Sequence, residues 1–167
     1  MSAHATTTMT SPVGTLTLLA SDAGLRAVLW DGEEPGGRVP WPDDVSEDAS
    51  RPVLVATRVQ LTEYFAGERQ TFDLPLDLHG SPFQVKTWRS LATIPFGETT
   101  TYGAQARALG DVRKARAVGA ANGRNPVSII LPCHRVIGAD GSLTGFAGGL
   151  DAKRRLLAHE ATVRARS

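Results

Sequence analysis

The sequence predicts two domains: an α/β domain over residues 1–78 built on a small antiparallel sheet, and a mainly α domain over 79–167 that contains a helix-turn-helix. Three observations carry that division. Short alternating segments separated by turn residues open the chain, and a helical stretch follows them. A proline-bearing extended segment, Thr71 to Leu78, then separates an acidic half from a basic one. Residues 1–80 hold 5 Lys and Arg against 12 Asp and Glu, whereas residues 81–167 hold 13 against 5. Past that boundary, two short helical patterns meet at Gly110-Asp111, with Arg113, Lys114 and Arg116 on the second.

In the first half, Ala5 to Thr10 alternates weakly, Ser11-Pro12-Val13-Gly14 turns, and Thr15 to Ala20 alternates Thr with Leu. Ser21-Asp22-Ala23-Gly24 makes a second turn, and Leu25 to Trp30 reads as a third strand of an antiparallel meander. Asp31 to Ser50 is rich in Pro, Gly, Asp and Glu and is expected to be an exposed irregular loop, with Trp41 as a plug over the sheet. Arg51-Pro52 opens a helix expected to end near Ala66, before Gly67. Leu54, Leu61 and Phe65 on one face, with Val55, Val59 and Thr62 on an adjoining stripe, should cover the sheet. Pro75 makes Thr71–Leu78 an edge strand or a linker.

In the second half, Ser81-Pro82-Phe83 is a helix entrance, and Phe83, Val85, Trp88 and Leu91 keep mostly helical spacing toward Pro95, with Gly97 as the stop. Thr99-Thr100-Thr101 offers a hydroxyl cap to a helix from about Tyr102 to Leu109, and Asp111 can cap another from about Arg113 to Asn122. That second helix has mostly small residues between its charges (Ala115, Ala117, Gly119, Ala120, Ala121), which lets its backbone approach a neighbouring helix or a nucleic-acid groove; its cations favour the groove. Val127 to Leu131 reads as a strand ending at Pro132. Gly138-Ala139-Asp140-Gly141 is a turn, and Gly145 to Gly149 is a flexible loop without the lysine of a phosphate-binding loop. A last helix from Leu150 to about Ala161 is expected to carry Lys153, Arg154 and Arg155 on its exposed side, with Arg164 and Arg166 in a short disordered tail.

With 41% hydrophobic and 21% charged residues, the chain has an ordinary soluble composition and should bury a real core. One cysteine excludes an internal disulfide, and one cysteine with four scattered histidines builds no thiolate-rich metal site, so neither metal nor cofactor is expected. Met1 to Thr10 lacks a basic segment followed by an apolar one, and no apolar run approaches the roughly 18 residues of a membrane span. A cytoplasmic protein with no membrane partner is the expectation. The basic half points to a polyanion such as nucleic acid, and the acidic half should not be the binding face.

The residue to explain is Cys133, in Ile129-Ile130-Leu131-Pro132-Cys133-His134-Arg135-Val136-Ile137. A lone cysteine is commonly a small buried hydrophobe, but one presented after a proline and followed by His134 and Arg135 has neighbours that favour a thiolate. His134 is the natural helper, and its orienting carboxylate could be Glu98, Asp111, Asp140, Asp151 or Glu160. Adjacent side chains on an extended segment point apart, so communication between Cys133 and His134 needs a sharp turn or a bridging water.

These residues resemble the O6-alkylguanine-DNA alkyltransferases, also called methylated-DNA-protein-cysteine methyltransferases. The resemblance rests on Pro132-Cys133-His134-Arg135-Val136, Asn125-Pro126-Val127, Lys114-Ala115-Arg116-Ala117-Val118-Gly119 and Leu156-Leu157-Ala158-His159-Glu160. It covers essentially all of residues 81–167; the first half is similar in outline, including Ser11-Pro12-Val13-Gly14, and in this family is a ribonuclease-H-like α/β domain. It implies that Cys133 takes an alkyl group from O6 of guanine by direct displacement, irreversibly, in DNA repair by a single-turnover methyltransferase. Glu160 would hold His134, which would draw the thiol proton through a water, and Asn125 would stabilise the turn before the cysteine. Arg116 would insert where the target nucleotide is flipped out, while Tyr102 would press on the backbone, reach the guanine and donate a proton as it leaves. The second helix would lie in the minor groove of double-stranded DNA, with Arg113, Lys114, Ala115 and Ala117 at the contact. The backbone of Cys133 and Val136 would meet the guanine amino edge and that of Ala147 would meet O6, in a pocket with Ser128, Phe146 and Gly148. The protein would act as a monomer, singly or cooperatively along DNA.

Phe146 stands where many relatives have tyrosine, Ala147 where serine is frequent and Ser128 where some have proline. The cysteines of the N-terminal zinc site that some relatives carry are missing. Two other readings use parts of the same residues: a lesion-binding protein that repairs nothing, against which Cys133 argues, and a Cys-His-Glu hydrolase, which would have no need of a basic helix pair.

Overall fold

Alternating Leu and Thr build the first sheet. Strands β1 (His4–Met9), β2 (Leu16–Ser21) and β3 (Gly24–Leu29) pair as an antiparallel meander, with a bulge between Leu19 and Ala20. In this computed structural model, which describes residues 2–143 and 145–166, the chain divides by its contacts into two units, Met1–His79 and Gly80–Ser167.

The sheet of the first unit is mixed, not purely antiparallel. A fourth strand, β4 (Val45–Glu47), lies parallel to β1 and makes the order β3-β2-β1-β4. It falls inside Asp31–Ser50, where the Pro, Gly and acidic residues conceal a three-residue strand too short for an alternation signal. This stretch is also less exposed than its composition predicts. Val39 is buried against Leu19, Ala27 and Leu29, and Trp41 and Val45 pack on the same cluster, so Trp41 does sit over the sheet. Arg38 and Glu33 close the loop with an ion pair, and Glu33 accepts from Trp30 N–H at 3.0 Å.

Helix α1 (Pro52–Phe65) packs on β1, β2 and β3 through one stripe, Leu54, Thr57, Leu61 and Tyr64. The adjoining stripe is in solvent: Val55 is 45% and Val59 51% exposed, because a four-stranded sheet covers only one face of the helix. Gln60 ties the boundary segment to α1, donating to Asp73 C=O at 3.0 Å and accepting from Asp73 N–H at 2.9 Å. The segment then bonds the edge of β3, Leu25 N–H donating to Pro75 C=O and Asp77 N–H to Leu25 C=O. Gly24 permits this approach: its φ is +152°, and a Cβ there would lie 2.5 Å from the Pro75 oxygen.

In the second unit, α2 (Pro82–Ser90) starts with a full capping box between Ser81 and Gln84 and ends in a 3₁₀ turn, Leu91–Thr93. The two-residue strand β5 (Thr100–Thr101) leads into α3 (Tyr102–Ala108), capped by the Thr101 hydroxyl. Asp111 caps a 3₁₀ turn, Val112–Lys114, which feeds α4 (Ala115–Asn122). Buried amides hold α3 on α4, with Asn122 Nδ2 donating to Gln105 Oε1 at 2.7 Å, and Trp88 of α2 donates its indole N–H to Ala121 C=O at 2.7 Å. The small residues of α4 divide accordingly. Ala121 is buried, Gly119 faces the Tyr102 ring, and Ala117 and Ala120 are exposed.

Val127–Leu131 forms no regular strand. Leu131 N–H returns to Val127 C=O, and Ile129 takes φ +74°, costly for a β-branched residue. Asn125 braces the loop, donating from Nδ2 to Leu131 C=O at 2.8 Å and accepting Val127 N–H at 3.1 Å. After a 3₁₀ turn, Cys133–Arg135, strand β6 (Val136–Ile137) runs parallel to β5. The last helix, α5, spans Leu150–Ala165, four residues beyond the predicted end. The predicted tail is therefore largely helix, anchored where Arg164 donates to Gly97 C=O at 3.0 Å. Among the described residues no helix is long and apolar enough to cross a membrane.

Candidate active site

Cys133 and His134 stand side by side in the 3₁₀ turn Cys133–Arg135, and α5 brings Glu160 to His134. Cys133 is 7% exposed, His134 0% and Glu160 1%, so the nucleophile is set into the interior and not presented on a surface turn. His134 Nε2 and Glu160 Oε2 are 2.6 Å apart. Arg135, also buried, donates to both oxygens of Glu160, from Nε at 2.8 Å and Nη2 at 3.0 Å. Among the described residues His134 Nδ1 is buried without a hydrogen-bond partner. Of the five carboxylates the sequence left open, Glu160 is the one at His134; Asp111 caps the 3₁₀ turn, Asp140 accepts Ser142 N–H, Asp151 pairs with Arg154, and Glu98 stands 4.0 Å from Arg164.

Burial is the main influence on His134 and pushes its pKa below the ordinary imidazole range. Glu160 pulls the other way, while Arg135 and Lys153 reinforce the lowering. Lys153 is the main surprise. Predicted to be exposed, it is fully buried and donates from Nζ to Val136 C=O at 2.7 Å, with the Phe146 ring 5.8 Å away. Burial lowers its pKa as well, against the attraction of a Cys133 thiolate. A signal existed: Lys153, Leu156, Glu160 and Val163 share one face of α5, so a lysine seven residues before Glu160 must point the same way. In the sequence Arg135 reads only as a neighbour of the cysteine, and its pairing with Glu160 is a long-range contact.

The remaining candidates fall into two groups. Tyr102 and Arg116 meet, with Ala115, Gly119 and Gly145, around an open depression of about 400 Å³. No sequence pattern marks Gly119 or Gly145 for it. Arg113, Lys114, Arg116 and Ala117 are exposed on or just before α4, and Lys114 lies 5.5 Å from the Phe83 ring. Near the cysteine, Ser128 is buried with its Oγ unpaired among the described residues, and Val136 is buried in β6. Ala147 is exposed and Phe146 and Gly148 half-buried in the loop before α5, whose Thr144 lies outside the described residues. No cluster of three or more potential metal ligands occurs among the described residues.

A lone thiol next in sequence to a buried His–Glu pair, in a unit with exposed cations on a short helix, is the arrangement of a DNA-modifying protein with a cysteine centre. Residues 82–162 match the family model described as the DNA binding domain of 6-O-methylguanine DNA methyltransferase, and residues 5–78 match its ribonuclease-like domain. A methylated-DNA–protein-cysteine methyltransferase of Mycolicibacterium paratuberculosis is 50% identical over 155 residues, 92% of this chain and 90% of that protein. The constitutive enzyme of Bacillus subtilis is 43% identical over 144 residues, 85% and 86% of the two chains. The crystal structure of Mycobacterium tuberculosis OGT in complex with DNA superposes with a TM-score of 0.85 at 43% identity, covering 95% of this chain and 94% of that one. The chain belongs to the methylated-DNA–protein-cysteine methyltransferase family.

Proposed function

We propose that this protein repairs DNA by direct reversal, moving an alkyl group, typically methyl, from O6 of guanine to Cys133 once per molecule. The buried His134–Glu160 pair beside the only cysteine carries the reading. His134 Nδ1 takes the thiol proton through a water, and Sγ attacks the alkyl carbon. The C–O6 bond breaks, and guanine leaves with a proton from Tyr102. Burial excludes solvent from the thiolate, and the Lys153 ammonium, whose charge interacts with that of Cys133, favours it. The thioether has no route back to a thiol.

Such burial requires the guanine to leave the duplex, since a stacked base cannot bring its O6 to a 7% exposed cysteine. In this reading α3 and α4 act as a helix-turn-helix whose second helix lies in the minor groove, Arg116 fills the space the base vacates, and Tyr102 faces the flipped nucleotide. Arg113, Lys114, Ala115 and Ala117 line the contact. The backbone of Cys133, Val136 and Ala147 reads guanine. Val136 C=O already accepts from Lys153, which leaves its second lone pair for the guanine amino group. Ser128, Phe146 and Gly148 wall the alkyl pocket, Asn125 holds the turn, and the ribonuclease-like first domain is not the DNA face. The protein acts as a cytoplasmic monomer without cofactor.

Repair of a duplex carrying one O6-methylguanine should stop at one lesion per protein molecule; continued turnover contradicts the proposal. Arg116→Ala should slow repair of that duplex far more than reaction with free O6-benzylguanine. Equal losses on the two substrates, in parallel single-turnover assays, would remove Arg116 from base flipping.

A further inference from the structure

Glu160 is gripped by more donors than a His–Glu pair needs. Arg135 covers both of its oxygens, sharing Oε2 with His134, and Gly97 N–H adds a contact to Oε1 at 3.2 Å. The third guanidinium nitrogen, Nη1, donates to Ile94 C=O at 2.7 Å, and the Phe96 ring lies 5.6 Å from the guanidinium carbon. The arginine is therefore fixed on three sides. A carboxylate bound by a buried guanidinium on both oxygens stays ionised and can only accept, so the proton in the 2.6 Å contact sits on His134 Nε2. The other ring nitrogen, Nδ1, is buried and unpartnered among the described residues. A second proton there would place a cationic N–H in the interior without an acceptor, whereas the bare lone pair is an acceptor waiting for a proton.

We propose that Arg135 is a positioning residue for the transfer reaction: by neutralising Glu160 it keeps His134 an uncharged imidazole whose Nδ1 lone pair is open to the thiol proton. The proposal rests on the alkyl-transfer reading, because that reading gives His134 the thiol proton. Without the guanidinium, the buried Glu160 charge draws a proton onto His134, and the imidazolium can no longer accept one from Cys133. The charged and titratable groups facing His134 are Cys133 and Arg135 on its own turn and Glu160 and Lys153 on α5. On the Pro95–Glu98 segment, Glu98 is turned toward Arg164. Lys153 opposes protonation of His134 in the same sense as Arg135.

Two measurements test this. In the unmodified protein, nitrogen-detected NMR should find the His134 ring neutral at pH 7, with its proton on Nε2; an imidazolium at that pH overturns the proposal. Single-turnover transfer should then be followed against pH in wild type, Arg135→Met and Arg135→Lys. The His134 pKa is lowered in the native site, so removing a cation raises it, and in Arg135→Met the acidic limb of the rate should move up by about one pH unit or more. Arg135→Lys keeps the charge and should leave the limb near its wild-type position even where the rate falls. A limb that stays put in Arg135→Met, or shifts equally in both variants, reduces Arg135 to a packing role. Should Arg135→Met fail to fold, the wild-type titration and the Arg135→Lys limb still decide, a displaced limb in Arg135→Lys counting against the proposal. The NMR titration needs no alkyl transfer, so a neutral ring in a protein that transfers nothing refutes the function and leaves the charge assignment standing.

Discussion

Cys133→Ala is expected to lose methyl transfer entirely while still binding DNA that contains O6-methylguanine. Cys133 is the only thiol in the chain, so no second residue can take over as a soft nucleophile. The proposed DNA contacts lie on α3 and α4, and a methyl in place of the thiol at a 7% exposed position changes little of the surrounding packing. Gel-shift and transfer assays on the same oligonucleotide separate the two properties. Residual transfer would move the nucleophile elsewhere, and loss of binding with intact folding would mean that the thiol contributes to recognition.

Glu160→Gln should have the largest effect on the protein as a whole. The carboxylate is the shared partner of His134 and Arg135 and accepts Gly97 N–H, all with the acid 1% exposed. An amide preserves the shape but leaves the Arg135 guanidinium buried without its counter-ion, an arrangement that typically costs about 3–5 kcal/mol. It can also turn an N–H toward His134 Nε2, flipping the ring to the wrong tautomer. Transfer should then fall by about 100-fold or more, the scale of a lost acid–base catalyst. Urea unfolding and single-turnover rates at a temperature where the variant is folded measure the two effects separately. A variant as stable as wild type, or as fast, would contradict the shared role of Glu160.

Local signals make much of the second unit readable. Ser81 three residues before Gln84, Thr101 before Tyr102, and Asp111 after Gly110 are side-chain caps within a turn of the groups they bind, and the structure shows each bond. What the sequence does not convey is long-range. β4 is three residues in a Pro- and Gly-rich stretch and exists because β1 offers an open edge, a fact held more than thirty residues away. Val127–Leu131 has strand composition, yet Asn125 folds it into a loop with Ile129 at positive φ. Lys153 and Arg135 carry the residue types of an exposed surface. They are interior because Glu160, the Val136 carbonyl and the Ile94 carbonyl together satisfy them, and that constellation has no sequence spacing of its own. The same chemistry accompanies the burial of Cys133: Glu160, Arg135 and Lys153 lie buried near it, and charges interact strongly away from water.

The central claim, that Cys133 keeps the alkyl group it removes, is tested most directly by mass. After incubation with excess duplex carrying a single O6-methylguanine, the intact protein should be one methyl heavier in stoichiometric yield, with the added group on the peptide containing Cys133 and guanine restored in the DNA. An unmodified protein beside repaired DNA, or a methyl found on any other residue, would contradict the account.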